Sequence, residues 1–144
     1  MKVLAESVGA YPRIGDKAGQ QVLRRTIDQW EKKLKSDLDL RRAQEEITSA
    51  AIREQVEAGI DVPTDGLIRW YDPISHFARG LRNVEVKGLL RFFDTNTYFR
   101  QPSVSGSPEW NGPVLLDEFQ FAAKVNNSLD QPCFAVKTVI TGPL

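Results

Sequence analysis

The sequence predicts an α/β protein with about three parallel core strands, helices between them and one β excursion, in the manner of a partial (β/α)8 barrel. Three observations carry that expectation. Short apolar runs rich in β-formers alternate with longer stretches whose apolar residues recur at helical spacing. Polar clusters fall where the runs end, as they do on the active face of such a barrel. The last run, "CFAVKTVITGP", reaches Leu144 with no helix behind it, so residues 1–144 read as the first part of a single barrel.

The elements follow in chain order. In "VLAESVGAYP" a short strand is expected to give way to loop at Gly9, because Pro12 cannot donate to a sheet. From about Ala18 to Leu34 the apolar residues Leu23, Ile27, Trp30 and Leu34 mark one face of a helix. Ser36, Asp37 and Asp39 offer caps for a second helix, whose buried stripe is expected at Leu40, Ala43, Ile47, Ala50 or Ala51, and Val56. Gly59 supplies the left-handed residue after it. "IDVPTDG" is a short strand, and "DPISHFARGL" a short helix with Asp72 as cap and Pro73 at its first position. "VEVKGLLRFFDTNTYF" is extended, broken at Gly88. Residues 101–113, rich in proline, glycine and serine, are expected to be loop. "VLLDEFQFAAKV" is helical, and "CFAVKTVITGP" a strand covered on both faces that starts at Cys133.

Composition narrows the function. With 144 residues, 41% hydrophobic and 26% charged, the chain is an ordinary globular domain. Nineteen basic and nineteen acidic residues balance, so no field draws it to nucleic acid or to anionic lipid. The single cysteine excludes an intrachain disulfide and favours the reducing cytoplasm. "MKVLAESVGAYP" is too short in apolar content for a signal peptide, and no run is long enough to span a membrane. A strand edge without a neighbour implies self-association or a missing barrel segment as partner.

The strand ends hold Arg13, then Asp65 with Arg69, Trp70, Tyr71 and Asp72, then Thr141. A turn needs only Gly, Asn, Asp or Pro, so two aromatics between charges in "RWYDP" point to the rim of a pocket. The plainer alternative is that Asp72 only caps a helix and Trp70 only covers the barrel rim. His76 and Cys133, each the only one of its kind, have no metal-ligand spacing and read as packing residues. "EKKLKSDLDLRRAQEE" is a solvated helix face. No phosphate-binding loop, dinucleotide fingerprint or nucleophile elbow is present.

Six segments in order, "VGAYPRIG", "VLRRTIDQW", "AGIDVPTDGLIRWYDPI", "RFFDTNTYF", "VLLDEF" and "VKTVITGPL", resemble the cobalamin-independent methionine synthase family. The resemblance runs from residue 7 to residue 144. It implies TIM barrels that transfer a methyl group from a polyglutamylated folate, or another donor, to the thiol of homocysteine, with zinc as the cofactor of the full-length enzyme. It also implies that Trp70, Tyr71 and Asp72 form a second βα-loop of the folate-side barrel. Asp94 and Asn96 would then support a pocket, and Arg24 and Arg91 would replace lysines that contact the glutamate tail.

The departures from the pattern also bear on function. Val8, Gly9 and Ala10 stand where the catalytic barrel's "IGS" loop holds homocysteine, so the serine hydroxyl is gone. Leu67 stands near the place of a glutamate that binds the substrate amine. The family's zinc ligands would all fall beyond Leu144. Without zinc the homocysteine thiol stays protonated near neutral pH, so this chain by itself is expected to be inactive. The alternative is a non-catalytic module that binds a small anion or a protein. A reading frame continuing past Leu144 into a His-x-Cys and a later Cys would favour the enzyme.

Overall fold

The structure, a computed structural model, describes residues 3–12 and 21–142. Arg13, the expected helix start at Ala18, and Leu144 lie outside the described residues. The chain divides into two compact units, Met1–Ile68 with Asp117–Val139, and Arg69–Leu116 with Ile140–Leu144. The class is mixed α/β.

In the first unit, α1 (Val22–Glu31) packs on α2 (Asp37–Glu57). Helix α1 is shorter than its apolar spacing predicts, since Lys32 follows as C-cap and Lys33 turns left-handed at φ 59°. Leu34 is left outside the helix and exposed. Helix α2 starts where the sequence places it. Ser36 accepts from the Asp39 backbone N–H while Asp39 accepts from that of Ser36, so each satisfies an orphan donor of the other. Gly59 closes the helix at φ +82°.

Leu23, Leu40, Ala43, Ala51 and Ile68 form one core cluster, with Tyr11, Ile27, Trp30 and Ile47 packed against it. A second cluster joins Ile52 of α2 to Ala122 and Val125 of the last helix, Leu116–Asn127. The buried stripe of α2 therefore passes through Thr48, Ile52 and Gln55, and Ala50 is exposed. One straight helix serving two clusters turns its buried face by more than a single apolar stripe does.

The expected parallel strands are not formed as ladders. Isolated parallel bridges join Glu6 to Val62 and Thr64 to Lys137. They are supported by the Ser7 N–H on the Val62 carbonyl at 3.2 Å and the Lys137 N–H on that of Pro63 at 2.9 Å. Two causes keep them short. Pro63 removes a donor from the middle segment, and Gly66 leaves extended geometry at φ +72°. The run from Cys133 is not the doubly covered strand its composition suggests, because Phe134 is 97% exposed.

The second unit holds α3 (Ser75–Ala78) and a hairpin of β1 (Leu81–Arg91) and β2 (Tyr98–Trp110). The strands pair antiparallel from Leu81 opposite Trp110 to Arg91 opposite Tyr98, with register shifts between Arg82 and Val84 and between Val86 and Leu89. This overturns the loop expected over residues 101–113 as far as Trp110, and residues 111–113 remain outside the strand. A two-stranded ribbon has free edges on both sides, where the missing donors of Pro102 and Pro108 cost little. Pro102 lies opposite Val86, next to a register shift. The helix after the hairpin, α4 (Leu116–Asn127), matches its apolar spacing.

Candidate functional site

The "RWYDP" segment opens the second unit, and its side chains have separate tasks. Asp72 is buried. Its Oδ1 accepts from the backbone N–H groups of Ile74 at 2.9 Å and Ser75 at 2.7 Å. Its Oδ2 accepts from the Ser75 hydroxyl and from the Arg100 backbone N–H at 3.1 Å. One carboxylate thus starts α3 and ties it to β2. It caps from three residues before the helix begins, with Pro73 and Ile74 forming a turn in between. Burial alone would push the Asp72 carboxyl up, but the hydrogen bonds from Ser75, Arg100 and Ile74 outweigh it and hold the group below its ordinary value.

Trp70 is only 4% exposed and stacks on the His76 ring, with centroids 4.8 Å apart and planes at 15°. The sequence offered no partner for His76, and the structure supplies one from its own unit. Tyr71 is half-buried and carries two guanidiniums over its ring, Arg79 at 4.7 Å and Arg100 at 6.0 Å from the centroid. Arg69 is half-buried at the head of the segment. Thr141 donates its hydroxyl to the Pro73 carbonyl at 2.6 Å, on the turn that Asp72 holds.

At the hairpin tip, Asp94 and Asn96 are exposed. Arg91 turns back on this tip, its Nε donating to the Thr95 carbonyl at 2.6 Å and Nη2 to that of Asp94 at 3.4 Å. The guanidinium expected to meet a ligand tail braces its own turn.

The first unit holds the remaining residues. Thr64 donates its hydroxyl to the Gly9 carbonyl at 2.7 Å and accepts from the Gly66 N–H at 3.1 Å, which fixes Gly9 beside the Thr64–Gly66 turn. A side chain on Gly9 would press on Val139, whose methyl lies 3.1 Å from the place of a Cβ. Val8 is 95% exposed and Ala10 also faces solvent. Tyr11 then donates its hydroxyl to Glu54 at 2.7 Å, and that bond, with burial and the charge of Glu54, raises its pKa. Asp65 accepts from the Leu67 N–H at 3.1 Å, and Leu67 adopts φ 53°, a conformation costly for a leucine. Arg24 lies on the exposed face of α1.

Sequence reasoning missed Ser75, Arg79 and Arg100. The Asp-x-x-Ser spacing, which lets one carboxylate accept from both the backbone N–H and the hydroxyl three residues on, was a signal for Ser75. Nothing local linked Asp72 to Arg100, because the link is a tertiary hydrogen bond across 28 residues.

No protein-family description matches the chain. It is 35% identical over 136 residues to the methionine synthase of Sulfolobus acidocaldarius, 33% to that of Saccharolobus solfataricus and 35% to that of Sulfurisphaera tokodaii. Each alignment covers 94% of this chain and 37% of the relative. Among solved structures, a B12-independent methionine synthase from Shewanella sp. W3-18-1, in complex with selenomethionine, superposes with a TM-score of 0.54. It covers 69% of this chain and 29% of that one, and at 19% identity the likeness speaks to the fold. Fold and alignments together define a methionine-synthase-like α/β protein. The chain is similar to methionine synthases over 94% of its own length, and spans about 37% of the length of the curated relatives it matches.

The described residues do not fit a zinc site. Among them no three His, Cys, Asp or Glu side chains gather to hold a metal ion. The His76 ring is stacked on Trp70, and the Cys133 thiol donates to the Ile60 carbonyl at 3.1 Å. Burial and the charge of Asp61 push that thiol up, away from the thiolate a metal requires. Among the described residues no helix is long and apolar enough to cross a membrane.

Proposed function

We propose that this chain supplies substrate-holding loops for methyl transfer from a folate to the thiol of homocysteine, as the first part of one (β/α)8 barrel. The collinear match to methionine synthases over 136 residues is the observation that carries this reading. The roles divide by chemistry. The turn of Gly9 and Asp65 presents backbone groups to a small substrate, with Val8 and Ala10 at its surface. In the Arg69–Asp72 loop Trp70 stays buried on His76 as support, and the half-buried Arg69 and Tyr71 are the groups the loop offers to a pterin. Arg24 and Arg91 remain the tail contacts implied by the family pattern, although Arg91 must first release its hairpin-tip carbonyls. Asp94 and Asn96 steady that tip. All of this is binding and orientation, since among the described residues no cluster gathers to hold the metal that would activate the thiol, and the chain by itself is expected not to turn over.

The test is calorimetric titration of the purified chain with methyltetrahydrofolate triglutamate and with homocysteine, beside a methyl-transfer assay in the presence of zinc. The expected result is folate binding without methionine formation. Turnover by the chain alone would overturn the inactivity, and absence of binding to both substrates would overturn the substrate-holding role. A second reading, a non-catalytic module for small anions, has one observation in its favour, the two guanidiniums gathered over Tyr71. It gains if the chain binds simple carboxylates yet ignores folate.

A further inference from the structure

We infer that Asn111 is a self-modifying site, where the backbone nitrogen of Gly112 displaces the side-chain ammonia and converts the asparagine into aspartate and isoaspartate. Asn111 and Gly112 follow Trp110, the last residue of β2, within the second unit. They are the only Asn-Gly pair in the sequence. Asn111 is exposed, and its Oδ1 accepts from the Arg82 Nε–H at 2.9 Å. Gly112 takes φ +108°, a conformation that few side chains enter. Beyond its chain neighbours, no heavy atom lies within 4 Å of the place of a Cβ. Its N–H has no acceptor among the described residues. None of these residues belongs to the substrate-holding set.

The chemistry is ring closure and then hydrolysis. Hydroxide removes the Gly112 amide proton, and the nitrogen bonds to Asn111 Cγ. The Cγ–Nδ2 bond breaks, and ammonia leaves with a proton taken from water. A second water opens the cyclic imide at either carbonyl, so nothing is oxidised or reduced. Glycine leaves the attacking nitrogen unshielded, and an unpaired N–H gives up no hydrogen bond when its proton goes. The Arg82 guanidinium donates to the oxygen on which negative charge develops as the ring closes, as an oxyanion hole does. The other asparagines are held or shielded. Asn83 donates to the Ser107 carbonyl at 2.8 Å and precedes the β-branched Val84. After Asn96 the Thr97 N–H donates to the Thr95 hydroxyl at 3.2 Å, and after Asn127 the Ser128 N–H donates to the Lys124 carbonyl at 3.1 Å. Asn126 is buried with its amide on Cys133. At Asn111 the product carboxylate faces Arg82 and competes with Glu109, 3.8 Å from the same guanidinium.

The experiment incubates the full chain in mildly alkaline buffer and follows its tryptic peptides by mass spectrometry over days. The peptide from Gln101 to Lys124 has Asn111 as its sole asparagine. It should gain about one dalton, as ammonia is exchanged for water, and split into two chromatographic forms. The peptide from Phe92 to Arg100, which carries Asn96, should stay unchanged over the same period. Asn111→Gln should stop the gain, and Arg82→Gln should slow it about threefold or more. Wild type supplies a second measurement that needs no variant to fold. In urea, where Arg82 no longer holds the side chain, its rate should fall to that of Arg82→Gln. No gain at Asn111 in the folded chain, or a gain at Asn96 as fast, overturns the inference. Equal rates for folded wild type and Arg82→Gln, or a wild-type rate that rises in urea, overturn the part assigned to the guanidinium.

Discussion

Asp72 makes four hydrogen bonds with one carboxylate, and three of them come from backbone N–H groups. Asp72→Ala leaves those donors without their acceptor, so the expected cost is about 2 kcal/mol, a lost cap plus a lost tertiary bond. The pH dependence has a definite sign. The folded carboxyl lies below its ordinary value of 3.8, so its contribution is fully present above that value and is lost as pH falls through the folded pKa. Urea melts from pH 7 to pH 3 should show wild type losing more stability on acidification than Asp72→Ala. Parallel acid limbs would contradict this. Cys133 gives a second prediction at the same scale. Its raised pKa, from burial and then from the charge of Asp61, makes it slow to react with iodoacetamide at pH 8. Asp61→Asn should speed alkylation, and an unchanged rate would exclude the electrostatic cause.

Among the elements, α2 was the most legible, and Ser36 shows why. A cap, a reciprocal Asp39 and a terminal glycine act within a few residues, so the sequence contains the whole interaction. Ser36→Ala should lower stability by about 1 kcal/mol in thermal or chemical melts, and a variant as stable as wild type would show the box to be redundant. Strand β2 was illegible for the opposite reason. Its prolines and serines have no strand preference of their own, and β1 provides the ladder that makes the segment extended. The apolar run from Cys133 erred in the other direction. Strong β-formers make a ladder only beside an extended partner strand, and among the described residues this run forms just the bridge at Lys137.

For the whole molecule, exposed apolar side chains set the expectation. Val8 is 95% exposed in the first unit and Phe93 is 79% exposed in the second. Such side chains favour association at high concentration. Sedimentation should show mass rising with concentration, and Phe134→Ser should reduce that rise, since Phe134 is 97% exposed. A monomer at every concentration would count against it.

Of the candidate site, the sequence carried the location of the Arg69–Asp72 loop, the capping role of Asp72 and the resemblance to methionine synthases, because each rests on neighbouring residues or on motif order. Tertiary structure decided what the loop touches. It stacked Trp70 on His76, set Arg79 and Arg100 over Tyr71, and turned Arg91 back on its own hairpin. Those contacts depend on where α3 and β2 meet and on the register of β1 with β2. Backbone pairing between distant segments fixes both. No local spacing in the sequence encodes it.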